Sequence, residues 1–486
     1  MSSPAVVAHE LGFSFDSSVV FSKLTFHLTP GWTGLVGGNG VGKTTLLRLL
    51  RGELKPTEGH LRVEPRGARV TWCAQRVDDR AGLDDFVWAH DRLAQRLRAK
   101  LKLDDAVLER WNDGASPGER RRWQLAAALW SEPDVLLLDE PGNHLDLEAR
   151  ALLLDALASF RGVGVLVSHD RALLDAVTTS TLRLAEGGGR LWPLPWSQAR
   201  EAWTAEATRA LEQQRELKKK LERDVQRLTA KKATLSASTR QRSTGARMKH
   251  PHDSDARTLG ANFRAEMAEL AHAATLRRVE RQVSHVREAL SEVHVRDEAG
   301  QALFLHFEPC PKPTVVQFRG DVPPVLRDVN VQLGRDEHLW IRGKNGAGKT
   351  TLLNAVLAAN ELPDEKRLVL PQELSVDDTQ GDLDTLEALP PDARGRVLQL
   401  VHALGVEPEV LLRSAQPSPG EARKLRLALG LGRHVWLAVL DEPTNHLDLP
   451  SIERLEVALA DFPGALLLVT HDESLGERVT TRRLEL

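Results

Sequence analysis

Apolar and polar positions along this 486-residue chain form two similar series separated by a stretch of different rhythm. Residues 1–36 alternate short apolar runs with turn residues, which predicts small antiparallel strands. A strand-like run through Trp32, Leu35 and Val36 leads into glycines, and an apolar helical run through Leu46, Leu47, Leu49 and Leu50 follows. Gly52 and the Pro56–Gly59 turn close that unit. Strand Val70–Ala74 ends at Gln75, and the region from about Leu83 to Trp111 is mostly helical in pattern. An amphipathic helix follows Ser116-Pro117-Gly118-Glu119 and runs to Trp130. Val135–Leu138 is fully apolar and ends in Asp139-Glu140-Pro141. A helix from about Leu147 then leads to strand Val163–Val167 and to Ser168-His169-Asp170. Apolar strands joined by crossover helices predict a buried parallel sheet.

The same order returns in the C-terminal part. Ser116 and Ser418, Asp139 and Asp441, Glu140 and Glu442, and His169 and His471 are each 302 positions apart. Gln75 is answered by Gln372. One domain is present twice. Between the copies, from about Ser197 to Gly300, glycine and proline become scarce. Leu217, Leu221, Val225 and Leu228 mark an apolar seam on one helix. Phe263, Met267, Leu270 and Ala274, then Val279, Val283, Val286 and Leu290, mark a second. These spacings predict paired helices, an αα-hairpin or short coiled coil. The first helix would run for about 38 residues, about 57 Å, with Ser236–Ser254 as its tip. From Arg227 to Lys249 there are seven basic residues and no acidic one.

The glycines carry the most specific signal. Gly37-Gly38-Asn39-Gly40-Val41-Gly42-Lys43-Thr44 and Gly343-Lys344-Asn345-Gly346-Ala347-Gly348-Lys349-Thr350 both fit the phosphate-binding P-loop, each after a strand and before a helix. Glycines let backbone N–H groups surround phosphates, and the new helix points its positive end at the same anion. Lys43 and Lys349 can neutralise phosphate charge, and Thr44 and Thr350 can ligate Mg2+. Asp139 and Asp441 end apolar strands and can assist the metal. Glu140 and Glu442 can polarise an attacking water as general bases. Gln75 and Gln372 can ligate Mg2+ or sense that water, and His169 and His471 can contact the γ-phosphate. Singly, each Gln or His also reads as an ordinary loop residue. Their matched order in two copies favours the site.

Composition narrows the class. Net charge is −3 and only two cysteines occur, Cys73 and Cys310, so no disulfide framework or Cys/His metal pattern is present. No signal-peptide pattern opens the chain and no apolar run could span a bilayer. These features predict a cytoplasmic protein.

Val135–Asp146 and Leu437–Asp448 resemble the Walker B and D-loop segments of ATP-binding cassette (ABC) proteins. The string Asp441-Glu442-Pro443-Thr444-Asn445-His446-Leu447-Asp448 is similar to the form found in the soluble ABC-F subfamily, and the resemblance covers essentially the whole chain. It implies an α/β fold of two ABC-type domains, each a parallel-sheet core with an antiparallel β subdomain and a helical subdomain, joined by a helical hairpin. The division would be 1–196, 197–300 and 301–486. It also implies two composite ATP sites, each P-loop facing the signature of the other cassette. Lys43, Asp139, Glu140 and His169, with Thr45, would work against Ser418, Gly420 and Glu421. Lys349, Asp441, Glu442 and His471, with Thr351, would work against Ser116, Gly118 and Glu119. Phe15 and Phe318 lie where the family places an adenine-stacking aromatic, although each also reads as a core residue. Three features depart from the pattern: Pro117 and Pro419 stand inside the signatures, Gly142 replaces a threonine, and only 41 positions separate Gln75 from Ser116, leaving no room for an inserted arm.

The family resemblance implies an ATPase that binds the ribosome in its ATP-closed state, with the linker reaching toward peptidyl-tRNA near the exit site. The basic tip residues Lys231, Lys232, Arg240, Arg242, Arg247 and Lys249 suit RNA phosphate contacts, or else belong to a solvated spacer. Protection of the ribosome against antibiotics is the leading expectation. A housekeeping translation or ribosome-assembly factor of the same family is the alternative. A transporter's energising subunit with separate permease chains is the rival from another class. The expected cofactors are ATP and Mg2+, with closure within one monomeric chain and neither membrane nor DNA as a partner.

Overall fold

The computed structural model describes residues 3–16, 18–74, 83–112, 114–142, 147–185, 187–245, 278–279, 283, 304, 307–344, 346–413 and 416–486. The chain divides into two compact units, Met1–Ala199 with Ala299–Leu486, and Arg200–Glu298.

In the first unit, each repeat builds a parallel sheet. The N-terminal repeat contributes β1 (Ala5–Phe15), β2 (Ser18–Leu28), β3 (Gly31–Val36), β4 (Glu58–Glu64), β5 (Val70–Cys73), β6 (Val135–Asp139), β7 (Val163–Val167), β8 (Ser180–Ala185) and β9 (Gly188–Trp192). Strands β5-β6-β7-β3-β8 run parallel, with β9 added antiparallel at one edge. A separate antiparallel sheet has the order β2-β1-β4. The C-terminal repeat contributes β10 (Thr314–Val322), β11 (Leu326–Gly334), β12 (His338–Arg342), β13 (Arg367–Leu370), β14 (Leu437–Asp441), β15 (Ala465–Val469) and β16 (Arg482–Glu485). Its parallel sheet has the order β13-β14-β15-β12-β16, beside the antiparallel pair β10-β11.

Burial follows from composition. Every residue of β6, β7, β14 and β15 is buried, as expected for central strands covered on both faces. Leu46, Leu47, Leu49 and Leu50 of helix Lys43–Arg51 pack on this core with Leu35, Val135 and Val163. The predicted helical stretch 83–111 resolves into Asp84–Val87, Arg92–Lys100 and Ala106–Glu109. The topology brings the chemistry together. Strands β5, β6, β7 and β3 are neighbours, and the loops that leave their carboxyl ends carry the candidate residues, as ligand sites in such sheets do.

In the second unit, helix Trp196–Gly245, which begins in the first unit, is 50 residues long, about 75 Å at the usual rise. It is longer than the sequence pattern predicted, because serine and threonine lower helix propensity only slightly and the first glycine of this stretch is Gly245. The predicted seam is a half-buried stripe at Leu217, Leu221, Val225 and Leu228, and buried Asp224 interrupts it. Of the expected second helix only residues 278, 279 and 283 are described. No helix among the described residues is long and apolar enough to cross a membrane.

Candidate functional site

The two P-loops start their helices in the same way. Gly42 and Gly348 cap them with left-handed backbone, φ 98° and 90°. A Cβ on Gly42 would also meet Val20 Cγ1 at 2.4 Å, so only glycine fits that position. The lysines fold over their loops. Lys43 Nζ donates to the carbonyls of Gly37 and Gly38, both at 2.8 Å. Lys349 Nζ donates to those of Gly343 and Lys344 at 2.7 and 3.1 Å. Burial holds Lys43 below its usual pKa, and the nearby Glu140, Asp448 and Asp139 oppose that shift. Thr44, Thr45, Thr350 and Thr351 open the helices, with Gly40, Val41, Gly346 and Ala347 in the turns before them.

Asp139 and Asp441 end their strands buried. Burial raises both carboxyl pKa values, and Lys43 and Arg121, or the Thr350 hydrogen bond, Lys349 and Arg423, pull them back. Thr350 Oγ1 donates to Asp441 Oδ2 at 2.6 Å, so two of the three predicted metal ligands of the second cassette meet. Glu140 and Glu442 follow in left-handed backbone, φ 50° and 47°. Each N–H donates to the carbonyl that ends the next strand, Val167 or Val469, at 2.9 and 2.8 Å. One oxygen of each glutamate accepts from a histidine backbone N–H, His169 at 3.2 Å and His471 at 3.3 Å. The other oxygen lies 3.3 Å from His169 Nε2, or 3.6 Å from His471 Nε2, and is buried without accepting a hydrogen bond. Burial pushes Glu140 up to about 8 and Glu442 to about 7, and burial with Lys43 nearby pushes His169 down to about 3. An acid tuned near neutrality and a neutral imidazole are suited to proton exchange.

The first centre contains residues from both cassettes. Asn39 N–H donates to Asp448 Oδ2 at 2.6 Å, across 409 positions. Gly420 is buried there. A Cβ on it would sit 2.6 Å from the His446 carbonyl and 3.8 Å from Asn39 Nδ2. Burial raises the Asp448 pKa. Lys424, whose Nζ is 3.9 Å away, and the Ser451 and Asn39 hydrogen bonds outweigh that and leave it below the usual range. For the second centre, Asn345 and residues 143–146 are the counterparts of Asn39 and 445–448. They lie outside the described residues, as does Gln75. That half is therefore described only from its own cassette.

The signature serines serve as helix caps. Ser116 Oγ accepts from Glu119 N–H at 3.2 Å, while Ser116 N–H donates to Glu119 Oε2 at 2.8 Å. Ser418 and Glu421 repeat this box, and the Ser418 hydroxyl also donates to Glu421 at 2.8 Å. Pro117 and Pro419 occupy the first helical position, where a missing N–H costs nothing. The prolines thus strengthen the helix start, and both Ser and Glu are engaged locally. Gly118 is half-buried. A Cβ on Gly142 would sit 3.1 Å from Leu173 Cδ2, so a threonine there would need that side chain to give way slightly. Phe15 is 47% exposed and stacks edge-on against Phe13 at 4.8 Å, whereas Phe318 packs half-buried on the apolar cluster below it. Gln372 is exposed, and its carbonyl accepts from Arg423 at 2.9 Å.

Sequence reasoning missed Arg423. It is 1% exposed, and its guanidinium joins four carbonyls, those of Pro371, Gln372, Asp441 and Glu442, tying the signature helix to both loops. Arg121 donates to the Ala74 carbonyl at 2.7 Å. The signal was available: an arginine stands five residues past the signature serine in both repeats, on a helix buried nearly all round.

Two P-loop centres on paired parallel sheets, one of them completed across cassettes, define a tandem ATP-binding cassette protein. The family described as ABC transporter matches residues 21–143 and 326–445, once in each repeat. The chain is 32% identical to the tylosin resistance ATP-binding protein TlrC of Streptomyces fradiae, covering 98% of this chain and 96% of that one. It is 30% identical to the ribosome protection protein VmlR of Bacillus subtilis, covering 99% and 86%. A solved RNase-L Inhibitor shares the fold, with TM-score 0.56 and 17% identity over 99% of this chain and 87% of that one. The chain belongs to the ABC-F subfamily of ATP-binding cassette proteins.

Proposed function

We propose that this chain is an ATPase that binds the ribosome while two ATP molecules hold its cassettes closed, and releases it after hydrolysis. The observation that carries the reading is the Asn39–Asp448 hydrogen bond. A phosphate loop completed by the other cassette makes nucleotide binding and closure a single equilibrium. The names of the relatives, a tylosin resistance protein and a ribosome protection protein, support a ribosomal target and antibiotic protection as the outcome.

Each residue then has a task. Gly37–Thr45 and Gly343–Thr351 surround phosphates. Lys43 and Lys349 exchange the loop carbonyls for phosphate oxygens. Thr44, Asp139 and Gln75, or Thr350, Asp441 and Gln372, would hold Mg2+, which neutralises charge on the phosphoryl oxygens. The donor set fits, since the hard oxygens Thr350 Oγ1 and Asp441 Oδ2 converge, and beside it the buried Glu140 Oε1 and Glu442 Oε1 accept no hydrogen bond and can receive one from water. Glu140 and Glu442 take its proton, and His169 and His471 hold those carboxylates through their backbone N–H groups. Gly118 and Gly420, with the helix starts at Ser116 and Ser418, close on the phosphates of the opposite centre. Phe15 stacks on adenine. The linker 197–300 presents its basic end to ribosomal RNA and peptidyl-tRNA. Lys231 and Lys232 are exposed on the helix, which also includes Arg240 and Arg242, while Arg247 and Lys249 lie outside the described residues. The cassettes, 1–196 and 301–486, close within one monomer in the cytoplasm.

The test uses Glu140→Gln with Glu442→Gln. This protein should bind ATP, stay closed and co-sediment with ribosomes at moderate salt. Sedimentation with membranes, or a free protein with ATP bound, sinks the reading.

A further inference from the structure

Arg171 opens helix Arg171–Val177, two residues past His169. It is 7% exposed, and its Nη1 donates to Glu456 Oε2 at 2.6 Å and to Ser474 Oγ at 3.2 Å. Glu456, 2% exposed, belongs to the second cassette, on helix Leu449–Ala460, which starts from Asp448. Its other oxygen lies 3.2 Å from Arg478 Nη1, within its own cassette. Glu456 therefore keeps Arg478 whatever the cassettes do, and has Arg171 only while they are together. Arg171 Nε and Nη2 are buried without hydrogen-bond partners. In the closed state, Glu456 and Ser474 accept the hydrogen bonds found for this guanidinium. A buried cation is tolerated only beside its counter-ion, and removing that counter-ion is strongly unfavourable.

The mirror half is built differently. The 302-residue offset maps Arg171 onto Glu473, Glu456 onto Leu154 and Ser474 onto Ala172. Glu473 is exposed and pairs with Arg342 of its own cassette at 2.7 Å. An apolar residue opposite a carboxylate cannot form the corresponding ion pair.

Resting on the ATP-driven closure above, we propose that Arg171 and Glu456 form a one-sided latch that holds the first nucleotide centre shut, so that the second opens and releases its nucleotide first. Arg171 and Glu456 each continue a segment of the first centre, while Ser474, the hydroxyl that also accepts from Arg171, stands three residues past His471. Arg171 follows His169, which contacts Glu140. Glu456 lies about two turns beyond Asp448, which accepts from Asn39. Parting this half separates a buried ion pair and leaves Arg171 to be rehydrated. Among the described residues, the mirror positions of the other half, Glu473, Leu154 and Ala172, hold no such pair to separate. Arg171 and Glu456 act through the interface, as positioning residues, and touch no reacting group.

The experiment follows release of a fluorescent ATP analogue from the Glu140→Gln, Glu442→Gln protein after a chase with unlabelled ATP. The parent should release in two phases. Glu456→Gln should quicken the slow phase by about tenfold or more and leave the fast phase alone. Leu154→Glu with Glu473→Arg, which installs the pair on the mirror side, should slow the fast phase. The exchange Arg171→Glu with Glu456→Arg should retain the slow phase, and provides the test if Glu456→Gln does not fold. A slow phase unchanged by Glu456→Gln, or a parent that holds two nucleotides yet releases them in one phase, overturns the latch alone. A parent that retains no nucleotide and binds no ribosome overturns the closure reading, and the latch with it.

Discussion

At the first nucleotide centre the P-loop reaches outward. Asn39 meets Asp448, Gly420 packs against the His446 carbonyl beside it, and Glu140 is held at a pKa of about 8. At the second, the described contacts run inward. Thr350 is bonded to Asp441, and Glu442 is held lower, at about 7. The catalytic vocabulary of the two repeats is matched at a fixed offset, but the residues that support it have diverged, with Arg171 facing Glu456 on one side and Glu473 and Leu154 standing at the mirror positions. The comparison teaches that the two repeats keep one set of candidate residues at each centre and differ in the contacts made across the cassettes.

The largest effect should come from Gly420→Ala. A Cβ there sits 2.6 Å from the His446 carbonyl of its own cassette, so the signature and the loop that carries Asp448 must part, and the Asn39–Asp448 contact is displaced with that loop. Misplacement of about 1 Å in such a site costs on the order of 100-fold. ATP turnover and ATP-dependent ribosome binding should both fall by about that factor. Gly118→Ala, measured beside it, asks whether the second half closes as tightly. Full activity of Gly420→Ala would mean that the Asn39–Asp448 approach is not the active closure.

The acid–base pairs give the next largest effect. Burial raises Glu140 and Glu442 above the ordinary 4.5, so the folded protein binds protons that the unfolded chain has lost. Each contributes stability that is fully present below pH 4.5 and is lost as pH rises through the folded value, about 8 for Glu140 and about 7 for Glu442. Glutamine does not ionise. Glu140→Gln should therefore be more stable than the parent at pH 9 by several kcal/mol and little different at pH 5, with Glu442→Gln gaining less. His169, held down to about 3, works in the opposite sense, since its contribution is lost as pH falls below 6.5. It is present in parent and variant alike and cancels. Thermal unfolding at pH 5, 7 and 9 measures the difference, and a gain independent of pH would show that burial does not set these acids.

Much of this was legible because local chemistry announces itself. The P-loops and the strand-ending Asp-Glu pairs are short strings whose meaning survives without neighbours, the two histidines stand out through their matched order in both repeats, and the apolar runs of β6, β7, β14 and β15 required a buried parallel sheet. Arg171 and Glu456 were illegible for the opposite reason. They stand 285 positions apart, each on an ordinary amphipathic helix, and only the pairing of the two repeats makes them partners. Helix Trp196–Gly245 extends past the predicted end because Ser236–Gly245 reads as a turn by residue type, although none of those residues before Gly245 forbids helix. The capping role of the signature serines Ser116 and Ser418 is visible only with Glu119 and Glu421 folded back on them.

The smallest expected effect separates the two aromatic positions. Phe15 is 47% exposed at the end of β1, so truncating it removes little buried area, whereas Phe318 is packed on the core of its cassette. Phe15→Ala should leave stability within about 1 kcal/mol of the parent and weaken ATP binding at the first centre by roughly threefold to tenfold, the range of one aromatic stacking contact. Phe318→Ala should reverse the pattern, lowering the unfolding midpoint of the second cassette by an amount corresponding to about 2 kcal/mol. The readouts are nucleotide affinity by fluorescence titration and denaturant unfolding of the same two proteins. If both variants lose affinity equally with stability intact, the aromatic platform is shared by the two centres, and their difference is confined to the interface between the cassettes. If Phe15→Ala alone loses affinity, the asymmetry begins at the adenine and extends through Asn39 and Asp448 to the buried pair beyond them.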